Sequence, residues 1–208
     1  TMANYIAAKE SIVKNQTRDD LCVLNYNDEV LRAFGKTLEQ KVVLFSSTET
    51  LDAGLYLQEN EILWARNGKT EHIISVEELN ILGAHNYENV MAAVALCDGM
   101  GVPMETIREG LRAFHAVEHR IEFVCKKNDI AFYNDSKGTN PDAAIKGICA
   151  MNRRTVLIGG GYDKESVYDE WIDSFDGKVK QLVLIGQTAK KIAVCADAHD
   201  FHDYVFAD

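Results

Sequence analysis

The sequence predicts an α/β protein that consists of two domains. Its 208 residues are 47% hydrophobic, which is enough to bury a sizeable core. Strand-like runs separated by turns dominate residues 41–75, whereas helix-like and strand-like runs alternate after residue 121. Regular alternation indicates βαβ units and a parallel sheet. We expect the boundary near His115 to His119, so that residues 1–117 and 118–208 form separate domains.

The first predicted domain begins with a helix and a short strand. Apolar residues recur near helical spacing from Met2 to Val13, and a short apolar run, Leu21 to Leu24, follows. The alanine-rich stretch Asn86 to Met100 predicts a helix, and Pro103 to Phe114 predicts another. Before these two helices, four strand-like runs predict a small antiparallel patch: Val42 to Phe45, Gly54 to Leu57, Ile62 to Arg66 and His72 to Ser75.

The second predicted domain opens with a hairpin formed by Ile121 to Val124 and Ile130 to Tyr133. Pro141 suits the first turn of a helix, because the N–H that proline lacks is not needed there. The remaining runs predict alternating helices and strands: Pro141 to Met151, Thr155 to Ile158, Glu165 to Phe175, Leu182 to Ile185 and Thr188 to Ala196.

Charge and composition narrow the possible partners. The formal net charge of −10 argues against binding to nucleic acid or to anionic membranes, since both need a basic face. No apolar stretch approaches the roughly 20 residues that cross a bilayer, and the first residues lack the features of a signal peptide. The five cysteines have no C-x-x-C spacing, and most lie in apolar runs. We expect a soluble, monomeric protein with reduced cysteines in the cytoplasm.

One short motif resembles the end of a phosphate-binding loop. Asn67-Gly68-Lys69-Thr70 fits the last four positions of G-x-x-x-x-G-K-[ST], but Leu63 stands where the first glycine is required. The motif also lies between two strand-like runs, where Asn-Gly is a strong hairpin signal. We therefore predict a hairpin turn here, and the sequence shows no phosphate-binding loop of this type.

Two other loops predict an anion-binding site. Asn134 to Asn140 and Gly159 to Lys164 each follow a predicted strand, and ligands of open α/β sheets bind at the carboxyl ends of strands. Three successive glycines allow close approach to a ligand, and Lys164 adds a second cation to Lys137 if the two strands are neighbours. Gly-rich turns and exposed lysines also occur in proteins that bind nothing there, so these residues alone leave both interpretations open.

Four sequence blocks carry a family resemblance: Tyr5 to Lys9 with Asn15-Gln16, Val23 to Asp28, Gly83 to Asn89, and His119 to Glu122 leading to Asn134 through Asn140. In this order they resemble the Mur ligases, the ATP-dependent amide-forming enzymes of peptidoglycan precursor synthesis. The Asp-Ser-Lys-Gly-Thr-Asn form of residues 135–140 is most similar to the members that add D-glutamate. The sister ligases and folylpolyglutamate synthase instead share a His-Asn-Pro or related pattern here.

The resemblance implies both a reaction and a fold. The enzyme would use ATP and Mg²⁺ to join D-glutamate to UDP-N-acetylmuramoyl-L-alanine through an acyl-phosphate intermediate. The chain would form the C-terminal part of a P-loop-type ATPase domain, with the antiparallel patch, followed by a Rossmann-like parallel-sheet domain. The family's UDP-binding domain, P-loop, metal-binding acidic and histidine residues and Ser-Pro-Ala-x-Ala-Ser segment would lie outside residues 1–208, so we expect this chain to be inactive by itself. Ala116 stands where the family usually has glycine.

The resemblance also implies residue roles. Lys9 matches the lysine that the family carbamylates to help hold a second Mg²⁺, and Lys9, Lys137 and Lys164 are the expected catalytic residues. The expected ATP-binding residues are His85, Asn86, Asn89, Arg120 and Asp135. The expected contacts of the acyl end and of the D-glutamate carboxylates are Ser136, Lys137, Thr139, Asn140 and Lys164.

Other interpretations exist for these residues. Taken singly, Lys9 reads as a solvated cation and His85-Asn86 as a helix cap, but the joint order of the blocks favours the ligase roles. His119 fits either a hinge or an orienting role for Arg120. We expect four histidines to be surface or packing residues: His72, His115, His199 and His202. We expect Asp169, Asp173 and Asp176 to lie on a solvated helix face. The rival functions are another Mur ligase or a folylpolyglutamate synthase, and a noncatalytic nucleotide-binding module.

Overall fold

The computed structural model describes residues 1–115 and 117–208 and divides them into two compact units. The first unit contains Thr1–Asn80 and Ala84–His115, and the second contains Ile81–Gly83 and the chain from residue 117 onward. The sequence gives no indication that Ile81–Gly83 falls in the second unit. Ala116, in the predicted boundary, lies outside the described residues.

The first unit is built on one five-stranded sheet with the strand order β1-β2-β3-β4-β5. Its strands are β1 Leu21–Asn25, β2 Lys41–Ser46, β3 Gly54–Gln58, β4 Glu61–Arg66 and β5 Lys69–Ser75. Its helices are α1 Met2–Glu10, α2 Glu29–Gly35, α3 Ala84–Gly99 and α4 Met104–Ala113, and a 3₁₀ turn, Ser11–Val13, follows α1.

The antiparallel patch is smaller than predicted. β2 pairs in parallel with both β1 and β3, and only β3, β4 and β5 are antiparallel. The prediction was wrong for β2. It missed α2, the helical crossover between the parallel strands β1 and β2, and it did not recognise that residues 47–53 connect β2 to a second parallel neighbour, β3. The sequence does contain a signal for the start of α2, because Asp28 is a preferred cap residue. In the structure its Oδ1 accepts hydrogen bonds from Val30 N and Leu31 N at 2.9 and 3.0 Å.

The predicted Asn-Gly hairpin is confirmed. Asn67 and Gly68 connect β4 to β5, and the flanking residues Arg66 and Lys69 are paired across the antiparallel strands. Both turn residues have positive φ, 54° and 70°, as a two-residue hairpin of type I′ requires. This turn joins two strands, whereas a phosphate-binding loop must join a strand to a helix.

The core of the first unit lies between the sheet and α3. Ile62 and Ile74 from the sheet, together with Met91 and Val94 from α3, are fully buried. At the end of α3, a Cβ at Gly99 would lie 2.4 Å from Leu21 Cδ2, so glycine allows the helix to approach β1 closely.

The second unit contains a three-stranded parallel sheet and a separate hairpin. The hairpin strands are β6 Glu122–Lys127 and β7 Ile130–Asn134, and the sheet strands are β8 Thr155–Gly160, β9 Val179–Ile185 and β10 Tyr204–Phe206. The helices are α5 Pro141–Cys149, α6 Asp169–Asp173 and α7 Ala189–Ala198. The strand order β10-β9-β8 is parallel throughout, which confirms the predicted parallel sheet.

The predicted hairpin is confirmed, because β6 and β7 pair in antiparallel orientation. β7 is not a hydrogen-bonded neighbour of β8, so the condition under which the sequence would bring Lys137 and Lys164 together is not met by strand pairing. One prediction for the second unit needs correction. The helix predicted over Glu165 to Phe175 extends only over α6, because Glu165 has a φ of 60° and its N–H donates to Asp163 Oδ1 at 2.8 Å. This local turn competes with helix formation.

The core of the second unit is packed around β9 and α7. Leu182 and Leu184 of β9 are fully buried, as is Ala196 of α7, and Trp171 of α6 joins them. Glycine at 159 makes room for this indole, because a Cβ there would lie 2.7 Å from Trp171 Cη2.

All five cysteines are free. Cys22 is buried, as expected for a thiol in an apolar run, but Cys125 and Cys149 are exposed. Cys125 lies on β6, and Cys149 is the last residue of α5. Among the described residues, no helix combines the length and the apolar character that a membrane span requires.

Candidate functional site

The loop from Asn134 to Asn140 is held against the segment that precedes β6. Lys137 N donates to His119 O at 2.9 Å, and Asn134 Nδ2 lies 2.9 Å from His119 Nδ1. Within the loop, Ser136 N donates to Asn134 Oδ1 at 3.1 Å. These bonds fix the backbone that presents Lys137 and leave its exposed side chain facing solvent.

Asp135 occupies a slot that glycine creates. Its Oδ1 accepts the N–H of Ile121 at 3.1 Å, while a Cβ at Gly138 or Gly147 would lie 2.9 or 2.7 Å from its Oδ2. Ile121 has a φ of 47°, which is strained for a β-branched residue, and the bond to Asp135 helps to hold it. Arg120, which is exposed, therefore lies between two residues that the loop fixes.

Asn140 ends the loop and starts α5. Its Oδ1 accepts the N–H of Ala143 at 2.8 Å, so its side chain caps the helix, and Pro141 follows in the first helical turn as predicted. The N-terminus of α5 carries a partial positive charge and unpaired N–H groups, which favour a nearby anion. Thr139, in the preceding position, is exposed.

Lys164 reaches the same loop although β7 and β8 are not neighbours. Its Nζ donates to Thr139 O at 3.4 Å, a long hydrogen bond. A carboxylate or phosphate would form a stronger, charge-assisted bond with this ammonium group. The structure thus brings Lys164 to the loop that presents Lys137, Ser136 and Thr139, which the sequence could only suggest.

The glycine-rich turn after β8 forces the chain into conformations that favour glycine. Gly160 and Gly161 have φ values of 124° and 135°. A Cβ at Gly160 would lie 2.0 Å from Ile185 O, and Thr188 N donates to Gly161 O at 3.2 Å. The turn is therefore packed tightly against the end of β9 and the start of α7.

The first unit carries the other candidates. Lys9 is exposed near the end of α1, with its Nζ 5.4 Å from the centre of the Tyr5 ring. His85, Asn86 and Asn89 lie in the first two turns of α3, where His85 and Asn86 are half-buried and Asn89 is exposed. Their spacing places Asn86 and Asn89 on one side of the helix.

Two of the histidines that we expected to be surface or packing residues have carboxylate partners. His199 lies 2.6 Å from Asp173 and 3.0 Å from Asp169, and hydrogen bonds to both carboxylates raise its pKa. The same bond lowers the pKa of Asp169. His202 Nδ1 lies 2.9 Å from Asp197 Oδ1. Asp169 and Asp173 are exposed, as expected for a solvated helix face, and they also face α7, which packs beside α6. The four-residue spacing of Cys195 and His199 was the available signal for this contact.

The role of His119 is clearer in the structure than in the sequence. Its backbone carbonyl and its ring both contact the loop, its N–H donates to Glu122 Oε2 at 2.8 Å, and its φ is 68°. Among residues other than glycine, histidine is one of the three types enriched at positive φ, with asparagine and aspartate. His119 is thus part of the frame of the loop from Asn134 to Asn140, and its role as a hinge or in orienting Arg120 stays a prediction.

Comparison with known proteins covers both units. Residues 1–97 match the Mur ligase middle domain, and residues 119–207 match the Mur ligase glutamate ligase domain. The chain belongs to the Mur ligase family. The loop from Asn134 to Asn140, its frame at His119 and Lys164 all lie in the second of these Mur ligase domains.

Curated Mur ligases match the full chain. The UDP-N-acetylmuramoylalanine–D-glutamate ligase of Lachnoclostridium phytofermentans is 50% identical over 208 residues, which are 100% of this chain and 46% of the relative. The ligase of the same name from Lachnospira eligens is 46% identical over 208 residues, again 100% of this chain and 46% of the relative. The chain therefore spans a little under half the length of these relatives.

Solved structures show the same fold. UDP-N-acetylmuramate-alanine ligase MurC from Thermotoga maritima has a TM-score of 0.70 at 20% identity, covering 100% of this chain and 46% of its own. Folylpolyglutamate synthase from the same organism has a TM-score of 0.54 at 19% identity, covering 86% of this chain and 44% of its own. At such identities the likeness shows the mixed α/β fold of Mur ligases and no more.

Proposed function

We propose that the protein containing this chain joins D-glutamate to UDP-N-acetylmuramoyl-L-alanine with ATP, in peptidoglycan precursor synthesis. One observation carries the proposal: ligases named for this reaction match all 208 residues at 46 and 50% identity. Residues 1–117 would form the back part of the ATP-binding domain, and residues 118–208 the glutamate ligase domain. We further propose that the protein works in the cytoplasm as a monomer.

The loop of the second unit supplies the chemistry that this reaction needs. An acyl phosphate and the two carboxylates of D-glutamate are anions, and Lys137 and Lys164 are the cations at this loop. Lys164 makes only a 3.4 Å bond to Thr139 O, so an incoming carboxylate can take over its ammonium group. Ser136, Thr139 and Asn140 would add hydrogen bonds, and positioning with charge neutralisation would account for most of the rate.

The proposed ATP-binding residues are assigned in each unit separately. Asn86 and Asn89 offer amide groups that both donate and accept hydrogen bonds, which suits the edge of adenine. His85 precedes them on α3. From the second unit, Arg120 would meet the phosphates as an exposed cation, and Asp135 would hold the loop and contact the nucleotide.

Mg²⁺ fits this chain only with a modified Lys9. Lys9 is exposed and contacts an aromatic ring, so its side chain is accessible to carbon dioxide, but an ammonium group repels a dication. Carbamylation would replace the cation by a group with two acceptor oxygens, the ligands that Mg²⁺ prefers. When bound, Mg²⁺ would neutralise phosphate charge during transfer.

The 208-residue chain should not turn over by itself. Its nearest match to a phosphate-binding loop is the hairpin turn between β4 and β5, so the chain supplies no cradle for the β- and γ-phosphates. ATP hydrolysis by the purified chain that is lost in Lys9→Ala would contradict this.

The test is phosphate release by the longer parent polypeptide with ATP, Mg²⁺ and UDP-N-acetylmuramoyl-L-alanine. D-glutamate, L-glutamate, L-lysine and meso-diaminopimelate are added in turn, and we expect stimulation by D-glutamate alone. Lys164→Ala should raise the KM for D-glutamate, whereas Lys180→Ala, at an exposed position of β9, should leave it unchanged. Stimulation by another acceptor would mean a different ligase of this family, and no stimulation would favour a noncatalytic nucleotide-binding module.

A further inference from the structure

Four side chains of α6 and α7 meet outside the site described above. Asp169 and Asp173 lie one turn apart on α6, and Cys195 and His199 lie one turn apart at the end of α7. His199 Nε2 is 3.0 Å from Asp169 Oδ1, and His199 Nδ1 is 2.6 Å from Asp173 Oδ1. The potential ligand atoms of Asp169, Cys195 and His199 all lie within 4.8 Å of one another.

We propose that Asp169, Cys195 and His199 form a binding site for one transition-metal ion of the zinc class. Thiolate, imidazole and carboxylate are the three ligand types that Zn²⁺ takes from proteins. Metal-binding histidines usually hydrogen-bond a carboxylate through the second ring nitrogen, and Asp173 already lies at Nδ1, opposite the nitrogen that faces Asp169 and Cys195. A water molecule would complete the tetrahedron.

The observed geometry needs only a small adjustment. With metal–ligand distances of about 2.0–2.3 Å, ligand atoms on one tetrahedral ion lie about 3.5 Å apart. The separations of up to 4.8 Å must therefore shrink by roughly 1 Å. The side chain of Asp169 is 57% exposed and can change rotamer without disturbing the core, whereas His199 is held by its two carboxylates.

Binding of the ion would be coupled to loss of a proton. A thiol binds a metal as its thiolate, so the proton of Cys195 would pass to solvent when the metal binds.

This site is independent of the proposed ligase reaction and of its Mg²⁺. Mg²⁺ prefers oxygen ligands in octahedral geometry, and a thiolate with an imidazole selects softer ions instead. A bound ion would connect α6, which has only five residues, to α7. The glycine-rich turn and Lys164 lie in the segment that leads into α6. A metal bound at α6 would therefore restrain the C-terminal end of that segment.

Co²⁺ is the probe for this proposal, because its thiolate complexes show a near-ultraviolet charge-transfer band and tetrahedral Co²⁺ absorbs in the visible. The metal-stripped 208-residue chain is titrated with Co²⁺, then with Zn²⁺ and, separately, with excess Mg²⁺. We expect one equivalent of Co²⁺ with a thiolate band, displacement by Zn²⁺ and no displacement by Mg²⁺. A chain that shows no thiolate band, or loses Co²⁺ to Mg²⁺, would refute the site.

Variants assign the ligands. Cys195→Ser should abolish the thiolate band, and Cys149→Ser, an exposed cysteine on α5, should keep it. Asp173→Asn should weaken Co²⁺ binding about 10–100-fold through the ring of His199. Asp169→Asn changes an exposed ligand without changing its shape, so this variant should fold even if the Cys195 variant does not. The proposal requires that Asp169→Asn lower the affinity for Co²⁺ by at least about tenfold. Wild-type affinity in Asp169→Asn would overturn the proposal.

Discussion

Replacing Gly160 by alanine should destabilise the second unit in two separable ways. The φ of 124° is unfavourable for alanine, which costs about 1–3 kcal/mol. The new Cβ would also lie 2.0 Å from Ile185 O, although real Cβ contacts essentially never fall below 3.0 Å. The backbone must therefore move by about 1 Å, and because Ile185 O also accepts the N–H of Gly161, this weakens the end of the β8–β9 pairing. We expect a further cost of about 1–3 kcal/mol.

Gly161→Ala is the matched control. Its φ is 135°, but a Cβ at this position meets no atom within 4 Å, so only the conformational cost applies. Each unit contains one of the two tryptophans, Trp64 in the first and Trp171 in the second. Urea unfolding in a Trp64→Phe background, followed by the fluorescence of Trp171, therefore reports on the second unit.

The expected order of stability is wild type, then Gly161→Ala, then Gly160→Ala, with the two variants separated by about 1–3 kcal/mol. Equal free energies of unfolding for the two variants would show that the contact with Ile185 O relaxes without cost. A loss below about 0.5 kcal/mol in Gly160→Ala would refute both parts of the reasoning.

Three further predictions concern stability. Asn140→Ala removes the cap of α5 and should cost about 1 kcal/mol, lowering the thermal midpoint of the second unit by about 4–8 °C, whereas Asn140→Asp should keep the cap. Leu182→Ala, in the centre of β9, should cost about 2–5 kcal/mol in urea unfolding, and a loss under 1 kcal/mol would mean that the core collapses into the space. The hydrogen bond from Arg112 lowers the pKa of Glu78 in the folded state. Glu78 therefore stabilises the folded state above its ordinary pKa of about 4.3, and this stabilisation is lost as the pH falls through the lowered pKa. Urea midpoints between about pH 7 and pH 3 should therefore fall less in Glu78→Gln than in wild type, and parallel curves would contradict the argument.

Sequence patterns located most elements because they are local. The Asn-Gly turn, the helix that begins after Asn140 and the parallel strands of the second half follow from turn chemistry and periodicity. The two missed elements, α2 and β10, have seven and three residues, too few for a clear periodic signal. The pairing of β2 could not be read, since the direction of a strand depends on the connection before it.

The sequence identified candidate residues for the site but could not give their spatial arrangement. The sequence named Lys137, Lys164 and Asp135, and the family resemblance gave them roles. It could not show that Lys164, in the loop after β8, reaches the carbonyl of Thr139 although β8 is not paired with β7, because this depends on how the hairpin and the sheet pack. Nor could it show that His119 frames the loop, since that contact joins residues far apart in the chain.

The slot around Asp135 makes the effect of one substitution depend on another. Gly147 lies within α5, where glycine is about 0.5–1 kcal/mol less favourable than alanine. Alanine is nevertheless disfavoured there, because its Cβ would lie 2.7 Å from Asp135 Oδ2. In an Asp135→Ala background that obstacle is absent, and Gly147→Ala should then stabilise α5. The effect of Gly147→Ala on stability therefore depends on the residue at position 135: with aspartate the carboxylate must shift to admit the new Cβ, and with alanine it need not.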